Sequence, residues 1–259
     1  MTTSWDPALY RNFDDHRSRP FHDLVARIGS PPTGDGAPRR VVDAGCGPGH
    51  LTPVLARRWP EATVEAFDAS PDMVASARDN GVAADLVDVA DWTPAPDTGV
   101  VVSNAILQWV PTHAEILTRW VKELASGAWI AVQVPGNFEA PSHVLTREVA
   151  TQPRWRDRMS LRGAVTVLDP AGYADLLTAA GADADVWETT YLQRLTGDDP
   201  VLRWISGTAL RPVRDALDDG EYAAFVEELS GHLRMAYPPS ADGTTWFPFR
   251  RIFAVARVR

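Results

Sequence analysis

The 259-residue sequence predicts a doubly wound α/β protein with a mostly parallel sheet. Short apolar runs alternate with amphipathic runs, and a glycine-rich turn joins the first apolar run to the amphipathic run behind it. Strands interleaved with helices of about 10 to 15 residues form βαβ units, whose crossovers make neighbouring strands parallel. The alternation therefore predicts the fold class before any motif is considered.

The first half of the chain carries this alternation most regularly. A first helix is expected to end at Gly29, before a loop rich in proline and glycine. A later helix has Pro71 in its first turn and Gly81 past its end, where these residues favour helix boundaries. The predicted elements are a helix at 19–29, a strand at 39–45, a helix at 50–60, a strand at 62–70, a helix at 71–81, strands at 82–89 and 98–105, a helix at 113–127 and a strand at 128–136.

The second half is less regular. It predicts a helix at 170–182, a strand at 185–195, two or three helices within 200–239 and a final strand at 247–259. We interpret the chain, 1–259, as a single domain. Its parts are a ligand-binding half at about 38–135, helical insertions at 136–165 and 198–240 that form a lid, and last strands at 185–195 and 247–258.

The composition excludes several classes of protein. The net charge of −9 disfavours a nucleic-acid-binding surface, because neutralising phosphates needs a positive field. Cys46 is the only cysteine, and no Cys/His cluster has zinc-ligand spacing, so we expect neither an intrachain disulfide nor a metal. No apolar run reaches transmembrane length, and the start lacks the pattern of a secretory signal. We therefore expect a soluble cytoplasmic protein without nucleic-acid or membrane partners.

The stretch VVDAGCGPGHL, residues 41–51, is the most informative motif. Glycines after the first strand of a doubly wound sheet remove the Cβ atoms that would block a ligand at the carboxyl edge. The dinucleotide fingerprint is G-x-G-x-x-G, but here the third glycine, Gly49, comes one residue early. A P-loop is excluded because no Gly-Lys-Ser/Thr follows. The loop is therefore a poor cradle for a pyrophosphate.

The loop resembles the first motif of the class I, Rossmann-like S-adenosylmethionine-dependent methyltransferases, D/E-x-G-x-G-x-G, here Asp43 to Gly49. In that family the loop passes the methionyl part of the cofactor, so the resemblance implies that Asp43 helps to hold the amino-acid end. Asp68 closes the second predicted strand, where a carboxylate can accept both ribose hydroxyls. Asp88 closes the third, where the family places an acid that meets the adenine amino group.

The predicted cofactor-binding residues lie on the loops after the first four strands. They are Asp43, Gly45, Cys46, Gly47, Gly49, Asp68, Ala69, Ser70, Met73, Asp88, Val89, Asn104 and Ala105. The predicted cofactor is S-adenosyl-L-methionine, with S-adenosyl-L-homocysteine as its product. Cys46 packs beneath the cofactor in this interpretation, because it has no partner base that would make it a nucleophile.

Several longer runs are similar to the trans-aconitate 2-methyltransferase family. They include WDPALYRNFDDHRSRP, NAILQWVPTH, VQVPGNFEAPSHVLTREVA and FPFRRIFAVAR, and extend from residue 5 to the final strand. The resemblance implies a seven-stranded Rossmann-like sheet with an antiparallel last strand. It also implies methyl transfer to a carboxylate of trans-aconitate, which gives a monomethyl ester.

The chemistry of that reaction determines which residues to look for. A carboxylate is ionised near neutral pH, so it needs no general base before it attacks a methyl group. A polycarboxylate instead needs orientation, which planar arginine side chains provide at two points each. The substrate candidates are Tyr10, Arg17, Arg19, Asn137, His143, Tyr191, Arg211 and Arg251, and the orienting candidates are Trp109 and His113.

Other interpretations of the same residues stay open. Arg19 could equally bind the cofactor carboxylate, and His113 could simply begin the helix at 113–127. The acceptor could be another small acid or a malonyl group on a carrier protein. The chain could also hold S-adenosylmethionine without turnover, whereas the glycine spacing disfavours an NAD-dependent oxidoreductase. The oligomeric state does not follow from the sequence.

Overall fold

The computed structural model describes residues 14–30, 38–159, 161 and 167–259, with side chains from residue 18 onward. Tyr10 lies outside these residues, and so does the side chain of Arg17. The described residues form two compact units. The first unit contains the described residues up to Pro135, the residues from 167 to 189, and Arg251–Arg259. The second unit contains the described residues from 136 to 161 and Thr190–Arg250.

The elements follow in chain order. In the first part of the chain they are α1 (Asp14–Ala26), β1 (Arg40–Ala44), α2 (Thr52–Arg58), β2 (Thr63–Asp68), α3 (Pro71–Asp79), β3 (Ala84–Leu86), β4 (Thr98–Asn104), a 3₁₀ helix (Leu107–Trp109), α4 (His113–Glu123) and β5 (Trp129–Pro135). They continue with α5 (Pro141–Ala150), α6 (Pro170–Ala180), β6 (Ala182–Leu195), α7 (Pro200–Ser206), α8 (Arg211–Ala216), α9 (Asp219–Ala236) and β7 (Thr245–Val258).

The strands form one seven-stranded sheet in the order β3-β2-β1-β4-β5-β7-β6. The pairs from β3 to β5 are parallel, whereas β7 runs antiparallel to β5, with Pro135 opposite Arg251 and Gln133 opposite Phe253. The strand order reverses between β1 and β4, and such a switch point opens a crevice at the carboxyl edge. The predicted doubly wound sheet with an antiparallel last strand is confirmed.

Helix boundaries follow local capping chemistry. Ser70 begins α3 because its hydroxyl accepts the Met73 N–H at 3.4 Å, and Asp169 begins α6 by accepting the Gly172 N–H at 2.7 Å. Gly181 ends α6 with a φ of +113°, a left-handed conformation that favours glycine.

Four predicted elements differ from the structure by three residues or more at an end, among them the strand expected at 185–195, which begins at Ala182. The helix expected at 19–29 spans Asp14–Ala26 instead, with Pro20 tolerated inside it. The helix at 113–127 ends at Glu123, because Leu124 turns to an extended conformation. The third strand is shorter than 82–89 and ends at Leu86.

The core of the first unit is rich in aromatic side chains. Trp92 stacks on Phe67, and its ring meets Trp120 edge-on, both at centroid distances of 5.4 Å. Trp120 comes from α4 and is fully buried, with the apolar side chains of β1, β4 and β5 around it. Packing of this kind fixes α4 against the sheet, and with it the loop after β4.

The second unit contains α5, α7, α8 and α9 and the adjoining parts of β6 and β7, so both predicted helical insertions fall within it. Asp218 and Glu221 form a capping box at the start of α9. Trp204 and Phe247 anchor its aromatic core, with ring centroids 5.8 Å apart. The interpretation of the chain as a single domain stays a prediction. None of the helices within the described ranges is long and apolar enough to cross a membrane.

Candidate active site

The glycine loop after β1 has the backbone conformation that its sequence demands. Gly45 adopts a φ of +81°, and its N–H donates to the Phe67 carbonyl of β2 at 2.9 Å. A Cβ atom on Gly45 would lie 2.4 Å from the Ile106 side chain, and one on Gly49 would lie 3.0 Å from the Ala77 Cβ. Both glycines are therefore needed for the loop to fit between β4 and α3.

Gly47 differs from Gly45 and Gly49 because there is open space where a side chain would point. It has a φ of +56°, and a Cβ atom placed on it would meet nothing within 4 Å. The loop after Gly47 is held in place, since Asn80 donates its side-chain N–H to the Pro48 carbonyl at 2.8 Å. The space at Gly47 thus allows a ligand to approach the backbone closely.

Asp68, at the end of β2, is bound to this loop. One carboxylate oxygen accepts the Gly47 N–H at 3.0 Å, and the other accepts the Ser70 N–H at 2.9 Å. Burial raises the pKa of this carboxyl, while the hydrogen bonds from Ser70 and Gly47 oppose the rise. Met73 is buried in the first turn of α3, directly behind Ser70. The predicted ribose acid and the glycine loop therefore form one connected unit.

Asp43 is the most deeply buried acid of the loop, with 3% of its surface exposed. It accepts a hydrogen bond of 2.6 Å from the hydroxyl of Thr52, the first residue of α2. Burial is the main cause that raises the pKa of Asp43 to about 6, and the nearby Asp68 adds to the rise. Thr52 is not among the residues predicted from the sequence, although a hydroxyl at the helix start behind the loop is a detectable signal.

The loop after β4 carries backbone strain. Ala105 has a φ of +61°, which is uncommon for a residue with a Cβ atom and often marks a functional site. Its N–H donates to the Gln133 carbonyl at 2.8 Å, and its own carbonyl accepts the Gln108 side-chain N–H at 2.6 Å. Within the described ranges, the side-chain oxygens of Asn104 and Gln108 are buried without a hydrogen-bond partner.

The turn after β3 contributes two of the predicted residues. Asp88 lies two residues beyond the strand it was expected to close, is exposed, and accepts the Ala90 N–H at 2.9 Å. Val89 is buried, whereas Ala69, which follows Asp68, is exposed. An exposed carboxylate at this edge remains accessible to a polar group of a ligand.

The chemistry around the glycine loop fits a cationic, hydroxyl-bearing ligand. The hydrogen-bond acceptors at this edge include the carboxylates of Asp43 and Asp68 and the oxygen of Asn104, which has no partner among the described residues. Such oxygens accept hydrogen bonds from an ammonium or from hydroxyls, and they repel phosphates. S-adenosylmethionine has an ammonium and a ribose with two hydroxyls, so these hydrogen-bond acceptors fit the predicted cofactor.

Cys46 is buried beside these acids. Burial raises the pKa of its thiol strongly, and the charges of Asp43 and Asp68 raise it further. A thiolate is the reactive form of cysteine, and here it is disfavoured. This environment agrees with packing beneath a ligand rather than nucleophilic chemistry.

Arg251 and Arg19, both in the first unit, have opposite environments. Arg251 on β7 is 7% exposed, and its Nη1 donates to the side-chain oxygen of Gln133 on β5 at 3.4 Å. The side chain of Arg19 on α1 is 71% exposed and lies 4.0 Å from Asp23. Ion pairs at exposed sites contribute little, so Arg251 is the stronger candidate for a specific role.

His113 belongs to the core of the first unit. It is 2% exposed; its Nδ1 donates to the Val110 carbonyl at 3.2 Å, and its Nε2 lies 3.1 Å from the Tyr173 hydroxyl. Burial lowers the pKa of the imidazole and so favours the neutral ring, in which Nδ1 carries the proton and Nε2 accepts from the Tyr173 hydroxyl. Both ring nitrogens are thus engaged within the fold, and the orienting role stays a prediction. Trp109, the other orienting candidate, is half-buried at the end of the 3₁₀ helix.

Four substrate candidates belong to the second unit. Asn137 is 3% exposed, and neither polar atom of its amide has a hydrogen-bond partner in the part of the chain described. His143 lies 3.2 Å from the Ser142 hydroxyl, and burial lowers its pKa to about 4. Tyr191 is buried, and Arg211 is half-buried at the start of α8. Asn137 is the one whose environment calls for a ligand.

Comparison with known proteins adds to this geometry. The model of a family described as "Methyltransferase domain" matches residues 13–185. A trans-aconitate 2-methyltransferase from Rhodococcus jostii is 58% identical over 98% of this chain and 100% of its own. The enzyme of that name from Mycobacterium tuberculosis is 55% identical over 98% of this chain and 97% of its own.

Solved structures are similar at the level of the fold. The YcgJ protein from Bacillus subtilis gives a TM-score of 0.57 at 14% identity, covering 94% of this chain and 99% of its own. The geranyl diphosphate C-methyltransferase from Streptomyces coelicolor, solved with S-adenosyl-L-homocysteine, gives 0.52 at 14% identity, covering 97% and 82%. At such identities the likeness concerns the arrangement of strands and helices alone.

Proposed function

The chain belongs to the trans-aconitate 2-methyltransferase family of S-adenosylmethionine-dependent methyltransferases, and from this premise we propose that it methylates one carboxylate of trans-aconitate. The products are the monomethyl ester and S-adenosylhomocysteine. The observation that carries the proposal is the identity of 55 to 58% over nearly the full length of both chains. This range includes the second unit, where the predicted insertions lie.

We assign the cofactor to the carboxyl edge at β1 to β4. Gly47 leaves the space for its close approach, Asp68 accepts its ribose hydroxyls, and Asp43 faces its ammonium. Asp88 is assigned to the adenine amino group and Asn104 to the amino-acid end. When bound, the cofactor supplies an electrophilic methyl group, so the acceptor oxygen gains a C–O bond as the C–S bond breaks and leaves its electron pair on sulfur.

The protein needs no general base for this reaction, because the attacking carboxylate is already ionised at neutral pH. Its task is to hold the acceptor in line and to exclude water, and such orientation can lower a barrier by about 7–11 kcal/mol in favourable cases. Arg251 is the leading candidate for the acceptor carboxylates, because it is a cation buried near the end of β5. Bidentate contact with a carboxylate suits its planar side chain.

A labelled-methyl assay tests the proposal. The purified protein is incubated with methyl-labelled S-adenosylmethionine and, separately, with trans-aconitate, its cis isomer, citrate, succinate and a malonyl-carrier protein. We expect label on trans-aconitate as a single ester that alkaline hydrolysis removes, at a rate that EDTA does not change. Label on the malonyl-carrier protein alone, or on none of the acceptors, would overturn the proposal.

A further inference from the structure

Gln133 and Arg251 form a buried polar pair at the carboxyl edge of the first unit. Pro135 on β5 lies opposite Arg251 on β7, so Gln133 is two residues from the pairing position and on the same face of the sheet. The exposed fractions are 1% for Gln133 and 7% for Arg251. The Arg251 Nη1 donates to the side-chain oxygen of Gln133 at 3.4 Å.

This contact determines which way the Gln133 amide points. A guanidinium has only N–H donors, so it can bond to the amide oxygen but not to the amide nitrogen. The oxygen therefore faces Arg251, and the Nε2 group with its two N–H donors faces away from it. Among the residues that the structure describes, Nε2 has no hydrogen-bond partner. Because buried N–H groups are almost always paired, this one requires a partner from outside those residues.

The neighbouring strand carries a complementary group. Asn104 on β4 pairs directly with Gln133 on β5, and the oxygen of Asn104 is also buried without a partner in the described ranges. An acceptor on β4 thus stands beside a donor on β5. An acceptor suits the cationic end of the cofactor, whereas paired N–H donors beside an arginine suit an anion.

We propose that the Gln133 amide N–H donates to a carboxylate of the acceptor and that Arg251 positions this amide through its carbonyl oxygen. The inference rests on the proposed function and deepens it, because it names a residue that distinguishes the acceptor from the cofactor. Arg251 keeps the amide from rotating, and its positive charge also favours an anion at that point. A buried water bound to Nε2 is the alternative that the experiment must separate from substrate binding.

Two substitutions of Gln133 separate the roles. Gln133→Leu removes both polar atoms, whereas Gln133→Glu keeps an oxygen for Arg251 but replaces the N–H donors by a second oxygen. Hydrogen bonds to charged groups are strong, so we expect Gln133→Leu to raise the KM for trans-aconitate about 10- to 30-fold. Gln133→Glu places a carboxylate against the substrate and should raise it about 100-fold. The affinity for S-adenosylhomocysteine should stay close to that of the wild type in both variants, whereas Gln133→Leu should lower the melting temperature because it removes a buried hydrogen-bond acceptor of Arg251.

The matched control is Arg257→Met. Arg257 lies on β7 and on the same face as Arg251, but it is exposed and pairs with Trp129 at the other end of β5. Its replacement should leave the KM for trans-aconitate unchanged. If Gln133 serves only to support Arg251, or binds only a water, Gln133→Glu will have a nearly normal KM, and the inference is wrong. A wild type that methylates none of the acids overturns the proposed function instead, and with it the inference.

Discussion

At β1 and β2 the first unit presents oxygen acceptors, whereas at β5 and β7 it presents nitrogen donors. The acceptors at β1 and β2 are the carboxylates of Asp43, which is buried, and of Asp68, which is half-buried. The donors at β5 and β7 are the amide N–H groups of Gln133 and the guanidinium of Arg251. In the proposed function, one sheet edge therefore separates two ligands of opposite charge. The acceptor oxygens suit a cationic methyl donor, and the nitrogen donors suit an anionic methyl acceptor.

The two positions also differ in what holds them. At the glycine loop the backbone determines the geometry, since Gly45 donates to β2 and Gly47 donates to Asp68. At β5 and β7 a side-chain contact between residues 118 positions apart adds to the backbone pairing of the two strands. Substitutions in the loop should therefore affect both folding and cofactor binding, and those at β5 and β7 should mainly affect the acceptor.

Gly45→Ala should have the largest effect, because the new Cβ atom would enter the Ile106 side chain at a left-handed φ. We expect a loss of about 2 to 4 kcal/mol in the free energy of unfolding, measured by urea denaturation.

Gly47→Ala is the matched variant: its Cβ atom meets open space, so the loss should be only about 1 kcal/mol. It should nevertheless weaken S-adenosylhomocysteine binding at least tenfold by calorimetry. Normal cofactor binding by Gly47→Ala would show that the open space is not the cofactor site.

Asp68→Ala should have the next largest effect. It removes the proposed ribose acceptor and the partner of the Gly47 and Ser70 N–H groups, so the affinity for S-adenosylhomocysteine should fall by about 100-fold. The KM for trans-aconitate should change little when the cofactor is saturating. Asp85→Asn, an exposed acid on neighbouring β3, serves as the control for charge alone. If both variants bound the cofactor normally, the ribose would have to lie elsewhere.

The contrast between the two positions explains what the sequence could and could not predict. The loop motif is visible because its residues are adjacent and the positive φ values need glycine, and Asp68 is visible because strand ends in a βαβ unit meet at one edge. Gln133 was missed, since a glutamine within an apolar strand carries no signal until β7 brings Arg251 beside it. The contact of His113 with Tyr173 was also missed, because Tyr173 lies 60 positions away on α6. Contacts of this kind depend on packing, which spacing does not reveal.

Asp43 provides a test by pH. Its pKa of about 6 in the fold is above the ordinary value of 3.8, so between these values the native state binds more protons than the unfolded chain. In the cofactor-free protein, Asp43 therefore makes its full contribution to the free energy of unfolding below about pH 3.8. This contribution of about 2 to 3 kcal/mol is lost as the pH rises through about 6. Asp43→Asn should flatten this part of the stability profile.

Cofactor binding should show the opposite trend. An ammonium beside Asp43 favours the carboxylate, so S-adenosylhomocysteine affinity should rise as the pH increases from 5 to 7, and calorimetry should detect proton release. Asp68 also has a raised pKa, so the assignment depends on the difference between the wild type and Asp43→Asn. Identical pH profiles for the two proteins would remove Asp43 from the amino-acid end of the cofactor.

Tyr173→Phe should have the smallest effect and should be confined to stability. The substitution keeps the aromatic ring, whose centroid lies 5.8 Å from that of His113, but removes the hydroxyl that donates to the buried imidazole. An unsatisfied ring nitrogen should lower the free energy of unfolding by about 1 to 2 kcal/mol. Neither Tyr173 nor His113 is one of the hydrogen-bonding groups assigned to the two ligands at the sheet edge. The KM values for trans-aconitate and the cofactor should therefore match those of the wild type at 25 °C. A raised acceptor KM with unchanged stability would instead support the predicted orienting role of His113.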